Sequence, residues 1–269
     1  MEIRTIREDL TPDGSGAPRV LTHPEWRRSW PWLVQGTTTR GLDFALDGPD
    51  PTGAWAELRG ATPSTAAFQA RQTHGVKVGV RGPIGPGLHL VGGADGHLTA
   101  MPGALLGVTV ADCVPVSIVA PRVRAVGMVH AGWRGAAGGI LERAIERMST
   151  AFGAASGDLY LHLGPSICGS CYEVGPEVHE ALGFRPPPGP APIDLRSALA
   201  ARAREAGVEA ERITRSAWCT LCSDREVLYS HRGGDAGRQL GFIGLSRDPE
   251  PHRLEPDGNG HPADPRGNR

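Results

Sequence analysis

The most regular signal along the chain is a set of short apolar, β-branched runs near its centre. Leu105 to Val110, Val116 to Ala120 and Val123 to Val129 each have strand length and follow one another closely, and Val76 to Val80 alternates as a strand should. Pro115 and Pro121 interrupt the set, marking strand ends or edges because proline cannot donate to a ladder. The period then changes. After the glycines of 132–139, Ile140, Leu141, Ala144, Ile145 and Met148 recur at helical spacing, with Glu142, Arg143, Glu146 and Arg147 filling the other face. Tyr160 to Leu163 predicts the next strand. Asp194 caps a helix bearing Leu195, Ala198, Leu199, Ala203 and Ala206, which Gly207 ends, and Leu240 to Leu245 is a late strand.

Elsewhere the pattern is looser. Residues 1 to about 20 form either an early strand pair turning at Asp13-Gly14 or a loosely held segment. Leu33 to Arg40 reads as a strand, 41–53 as a Gly/Pro-rich loop, and Ala54 to Ala70 as helical in part without a fixed register. The proline run at 185–192 is a stiff surface connection. Many short strands with two or three helices predict an α+β chain whose mixed sheet is covered by helices, spanning residues 1–245, with 246–269 as a disordered polar tail. No G-x-G-x-x-G opens a helix, so a dinucleotide fold has little support.

Composition narrows the function classes. Lys and Arg number 28 against 29 Asp and Glu, a net charge of -1 that gives no electrostatic reason to expect nucleic acid. No run has the length and apolarity of a membrane span, and the opening M-E-I-R-T-I-R-E-D-L carries acids where a leader would be apolar. With only five cysteines, the expectation is a reducing, cytoplasmic setting.

Three short pieces carry candidate chemistry: R-Q-T-H-G at 71–75, V-A-D-C at 110–113 and V-H-A-G-W-R-G at 129–135. His74, Cys113 and His130 are two imidazoles and one thiol, a donor set suited to zinc with a fourth position open to water or substrate. The long gaps between them leave two other readings open. Cys113 is then a small buried hydrophobe with the histidines in turns, or a nucleophile with His130 as its base. Asp95 and Asp112 are candidate partners for substrate or for a ligating imidazole, although Asp95-Gly96 also reads as a turn and His97 beside it is a rival ligand. Arg134, among Gly132, Gly135, Gly138 and Gly139 at a helix start, fits an anion site or a closely packed glycine turn. C-G-S-C at 168–171 and C-T-L-C at 219–222 could hold structural zinc or form disulfides, but a strand, linker and helix between them leave the pairs free to lie apart.

Taken together, R-Q-T-H-G, A-D-G at 94–96, A-D-C-V-P-V at 111–116, H-A-G-W-R-G at 130–135, G-P-S-I at 164–167 and Y-E-V-G at 172–175 resemble the YfiH-like multicopper polyphenol oxidase (laccase-like) family. Its members are now mostly described as purine nucleoside phosphorylases. Cys219-Thr220, Tyr229-Ser230, Arg232 and Gly237-Arg238 extend the resemblance over roughly residues 30–245. The resemblance implies a four-layer α/β/β/α sandwich forming a single catalytic domain, as a monomer or small homo-oligomer. It implies a metal site on His74, Cys113 and His130, with zinc the usual ion and copper proposed for oxidase activity. The implied reaction is phosphorolysis of adenosine, inosine, guanosine and 5′-methylthioadenosine by inorganic phosphate, with adenosine deamination beside it. The catalytic set is then His74, Cys113, His130 and Arg134, and the substrate and phosphate candidates are Arg71, Asp95, Asp112, Arg134, Arg232 and Arg238. Two departures bear on substrate preference: Ser230-His231-Arg232-Gly233 stands for Ser-Tyr-Arg-Arg, and Ala236 for a threonine before Gly-Arg. Related chains carry scattered cysteines near 168–171 and 219–222 without a known second metal, which weighs against structural zinc there.

Overall fold

A computed structural model describes residues 3–11 and 17–247 of the chain. The strands are β1 (Arg4–Ile6), β2 (Asp9–Leu10), β3 (Val20–Thr22), β4 (Leu33–Thr38), β5 (Ala66–Ala70), β6 (Val78–Arg81), β7 (Gly87–Val91) and β8 (Gly96–Thr99). They continue with β9 (Ala104–Val110), β10 (Val114–Ala120), β11 (Ala125–Ala131), β12 (Tyr160–Leu163), β13 (Glu173–Val174), β14 (Ala191–Pro192), β15 (Ile213–Ser216) and β16 (Gln239–Leu245). The helices are α1 (Pro24–Ser29), α2 (Pro51–Gly60), α3 (Trp133–Ala137), α4 (Ile140–Phe152), α5 (Pro176–Ala181) and α6 (Leu195–Glu205).

Two seven-stranded mixed sheets form, ordered β1-β15-β12-β10-β11-β8-β6 and β2-β3-β4-β16-β9-β5-β7, and β13 pairs with β14 apart from both. Strand alternation sorts the side chains into layers. On β9, Leu106, Val108 and Val110 join Val126 and Met128 of β11 in the core between the sheets, while Leu105 faces the opposite way onto Trp55 and Leu58 of α2. Ala125, Val129 and Ala131 of β11 turn outward against α4 and α6. The result is the α/β/β/α sandwich that the resemblance implied.

Helix α4 shows what holds the outer layer. Its N-cap, Gly139, makes no side-chain capping bond, so local chemistry contributes little at that end. Ile140, Leu141, Ala144, Ile145 and Met148 are all buried, and each large apolar side chain is worth roughly 1.5–3 kcal/mol. Packing, not capping, fixes this helix. In α6 the cap does form, with Asp194 accepting from the backbone amides of Arg196 and Ser197, as the sequence pattern predicts.

The looser regions resolve differently from their pattern. The loop read at 41–53 ends in α2, because Asp50 caps Gly53 and Pro51 starts the helix with its φ already set. The remaining stretch to Ala70 then becomes β5 rather than helix. Short helices α1, α3 and α5 raise the helix count above two or three; with five or six residues each, they carry too little periodicity to read. Pro115 sits second in β10, at the strand end where it was expected, and Pro121 starts a single 3-10 turn. That turn takes Val123 out of the next strand, with Arg124 in the left-handed region before β11 begins. The turn expected at Asp13-Gly14 and nearly all of the tail expected from 246 lie outside the described residues.

Candidate functional site

Three chain segments meet at one end of the layer between the sheets. His130 is the sixth residue of β11, on the face shared by Val126 and Met128, and Cys113 directly precedes β10, its antiparallel neighbour. His74 lies in the loop between β5 and β6. One donor atom from each residue lies within 4.8 Å of the others. Cys113 Sγ is 3.9 Å from His74 Nε2, and the two imidazoles stand edge to face with centroids 4.8 Å apart.

Asp95, just before β8, organises the loop. Its carboxylate is fully buried and accepts from the backbone amides of Thr73, His74 and Gly75, from the Thr73 hydroxyl and from His130 Nδ1. Those bonds hold His74 at φ 55, in the left-handed region where a side chain costs about 1 kcal/mol or more. The 2.9 Å bond to Nδ1 leaves His130 Nε2 free for the cluster. Burial pushes the Asp95 carboxyl up, but His130 and the Gly75 and Thr73 amides outweigh it and hold it at about 2. Burial likewise opposes charge on the other two. Against it, hydrogen bonds from His130 and His74 bring the Cys113 thiol down to about 6, and Asp95 and Cys113 raise His130 to about 9. The cluster thus favours a thiolate before any ion binds.

Two imidazole nitrogens and a thiolate at this separation fit one borderline-soft ion with a position to spare. Gly132 preserves the space: a Cβ there would lie 3.0 Å from both Cys113 Sγ and His74 Cδ2. The open side faces a cleft of about 430 Å³ lined by His74, Cys113, His130, Arg71, Arg238 and His231, a size suited to a small ligand.

The other residues singled out in the sequence are placed as follows. Arg71 and Arg238 line the cleft; Arg238 also donates to the carbonyls of Asp235, Ala236 and Gly237. Asp112 does not hold an imidazole. At φ 89 it accepts from the Thr220 and Ser230 hydroxyls and the Arg232 amide, which braces the residue next to Cys113. Arg232 donates to the Glu173 carbonyl and lies over the Tyr172 ring, outside the cleft lining. Arg134, second in α3, is exposed, stacks 4.2 Å from the Trp133 ring centroid and does not line the cleft either. His97 is buried on β8, where its Nδ1 accepts from Arg81 Nε at 2.9 Å, so it stands apart from the cluster. Burial, then the charge of Arg81, lowers His97 to about 3 and keeps it neutral.

Three contributors escaped the sequence reading. Gln72 exchanges hydrogen bonds with the backbone of Thr109, tying the His74 loop to the end of β9. Asp47 and His231 line the cleft, and His231 is the position where the resemblance calls for tyrosine. That departure was a visible signal for His231; Gln72 and Asp47 carried none. The two C-x-x-C pairs, expected to be free to lie apart, come together instead, with all four sulfurs mutually within 4.8 Å. The cause is topological. β12 and β15 are parallel neighbours, so the segments leaving their C-terminal ends run side by side, and Ser166 bridges to Cys219.

Comparison with known proteins shows what the chain as a whole is similar to. The sequence model of the family described as multi-copper polyphenol oxidoreductase laccase matches residues 54–246. Purine nucleoside phosphorylase YlmD of Geobacillus stearothermophilus is 39% identical over 167 residues, 57% of this chain and 61% of that protein. Adenosine deaminase RL5, from an unknown prokaryotic organism, is 35% identical over 195 residues, 66% of this chain and 73% of that one. The crystal structure of YlmD from Geobacillus stearothermophilus superposes with a TM-score of 0.77 at 29% identity, covering 88% of this chain and 99% of the other.

Proposed function

This chain belongs to the multi-copper polyphenol oxidoreductase laccase family, and we propose that within it the chain is a metal-dependent purine nucleoside phosphorylase that also deaminates adenosine. One observation carries the reading: His74, Cys113 and His130 converge at the wall of a cleft that also presents two guanidinium-bearing side chains. Relatives named for phosphorylase and deaminase activity support the substrate class.

The ion we assign to His74, Cys113 and His130 is zinc, which supplies Lewis acidity without redox chemistry. Around it the chain's own groups divide the work. Asp95 accepts the Nδ1 proton of His130 and so keeps Nε2 a donor to the metal. Phosphorolysis of inosine, guanosine, adenosine or 5′-methylthioadenosine requires phosphate held against C1′ while charge builds on the departing purine. Arg71 and Arg238, whose side chains share the cleft wall, are assigned to that anion. Arg134, which stands outside the cleft lining, keeps a role only where substrate extends beyond the cleft. Asp112 and Arg232 are assigned to bracing the loop that carries His231 rather than to substrate.

Oxidation by a multicopper array ranks below this reading. Such an array needs several coppers with many histidine ligands. Among the described residues, the second donor cluster is made of cysteines alone. A second hydrolytic reading has a specific observation behind it: Cys113, His130 and Asp95 stand in the order nucleophile, base and orienting carboxylate. One experiment separates these. Metal analysis is paired with an inosine assay with and without phosphate, for the unaltered protein and for Cys113→Ala. We expect phosphate-dependent release of hypoxanthine that stops on chelation. Activity that survives metal removal and yields to alkylation supports the cysteine hydrolase instead.

A further inference from the structure

The second cluster lies away from the cleft and plays no part in the proposed reaction. Cys168 precedes and Cys171 ends a single 3-10 turn (Gly169–Cys171) after β12, and Cys219 and Cys222 lie in the segment after β15. All four thiols are free of disulfide bonds. Their spacing, C-x-x-C with C-x-x-C, is that of a four-thiolate zinc site.

We propose that Cys168, Cys171, Cys219 and Cys222 hold a second, structural zinc ion that ties the segment after β12 to the turn after β15. Three observations converge on it. First, Cys168 Sγ and Cys222 Sγ are 3.7 Å apart. Sulfurs bound at about 2.3 Å to one tetrahedral ion stand about 3.8 Å apart, so this pair already has the spacing of a single ion and the other sulfurs lie within 4.8 Å, whereas a polynuclear iron–sulfur cluster would need the sulfurs spread further. Second, backbone amides from both segments converge on one sulfur. The backbone amides of Leu221 and Cys222 both donate to Cys219 Sγ at 3.4 Å, and that of Cys168 does so at 3.3 Å from the other segment. These bonds fix one sulfur from both segments at once, facing the other three. Third, the surroundings fit a closed site. Cys219 is buried and Cys222 exposed, which gives an ion entry from one side, and none of the four cysteines lines the cleft beside His74. On binding, each thiol that is still protonated releases its proton to solvent.

The site also has something to brace. Thr220, between Cys219 and Cys222, donates its hydroxyl to Asp112, the residue before Cys113, and its amide to Ser166. An ion on the four sulfurs therefore steadies the loop behind the cleft without touching substrate.

The test uses the full-length Cys113→Ala protein, prepared in the presence of a reductant, so that the cleft cluster is disabled. It is loaded with zinc alone or cobalt alone. We expect one equivalent of zinc per chain, and a cobalt spectrum with tetrahedral bands and sulfur-to-metal charge transfer from four thiolates. Adding Cys222→Ser, at the exposed corner, removes one thiolate and so about a quarter of the charge-transfer intensity. A Cys113→Ala protein that holds no ion overturns the inference, as does a cobalt spectrum indifferent to Cys222→Ser. Neither result bears on the cleft, whose own ion is counted from the difference between the unaltered protein and Cys113→Ala.

Discussion

The molecule carries two clusters of side chains able to hold a metal ion, built by different means. The cleft cluster mixes imidazoles with one thiol, draws on three separate segments and leaves a side open to a cavity. The cysteine cluster uses one donor type from two turns, directs three backbone amides at Cys219 Sγ and lines no part of that cleft. An incomplete donor set beside a cleft suits chemistry, and a complete one suits support. The contrast teaches that donor count and surroundings, more than the presence of cysteine or histidine, separate the two uses.

Several measurements break or sharpen this contrast. The largest effect is expected at the open cluster. Cys113→Ala should take phosphate-dependent inosine cleavage to background while the melting temperature stays within a few degrees, whereas Cys222→Ser should reverse that pattern. Assaying both variants for turnover and thermal unfolding checks this, and an active Cys113→Ala enzyme defeats the assignment.

Next comes Asp95→Asn. It puts an amide where five donors converge on a buried carboxylate, and losing such a partner of a metal-binding imidazole typically costs about 10–100-fold in metal affinity or activity. Zinc titration against a competing chelator measures it. The cysteines are supported instead by backbone amides at Cys219 and by the Ser170 hydroxyl, 3.1 Å from Cys168 Sγ.

Smaller still, Arg71→Ala and Arg238→Ala should each raise the KM for phosphate by about tenfold, the worth of a hydrogen bond to a charged group, with little change for nucleoside. Steady-state kinetics at varied phosphate decides it, and an unchanged KM in both variants removes them from the anion site. Last, Asp194→Ala removes the two capping bonds at the start of α6, the helix that lies in sequence between the two cysteine pairs. A loss of about 1 kcal/mol is expected, read by urea unfolding, with turnover unaltered.

Stability should also fall in acid. Burial, then the nearby His162 and Arg4, lowers buried His23 from the usual 6.5 to about 2. The unfolded chain takes up a proton that the folded one refuses, so the folded state is fully favoured above about 6.5 and loses ground as the pH falls. His23→Asn retains a side chain able to cap Trp26 in α1 and should flatten that slope in unfolding measured between pH 6.5 and 4.

How much of this was legible depended on distance along the chain. The buried stripe of α4, the cap of α6 and the strands from β9 to β12 and at β16 follow from periods of two and of 3.6 within a few residues. The short helices were lost and the first strands were left as one of two alternatives, since two to six residues hold too little pattern. At the site, the pieces 71–75, 110–113 and 129–135 were each visible as a histidine or cysteine beside a turn. Residue type suggested His74, Cys113 and His130 as one donor set among three readings; preferring it came from the resemblance, not from their spacing.

The sequence by itself determined donor types, the glycine that leaves room beside them and the local periodicity of the elements. Tertiary structure decided which donors meet. The antiparallel register of β10 and β11 sets Cys113 beside His130, and Asp95 draws His74 to them from across a loop. The parallel pairing of β12 with β15 carries two distant C-x-x-C pairs to one place. Donor convergence requires ångström placement across dozens of residues, and strand register and a buried carboxylate supply that placement where local periodicity cannot.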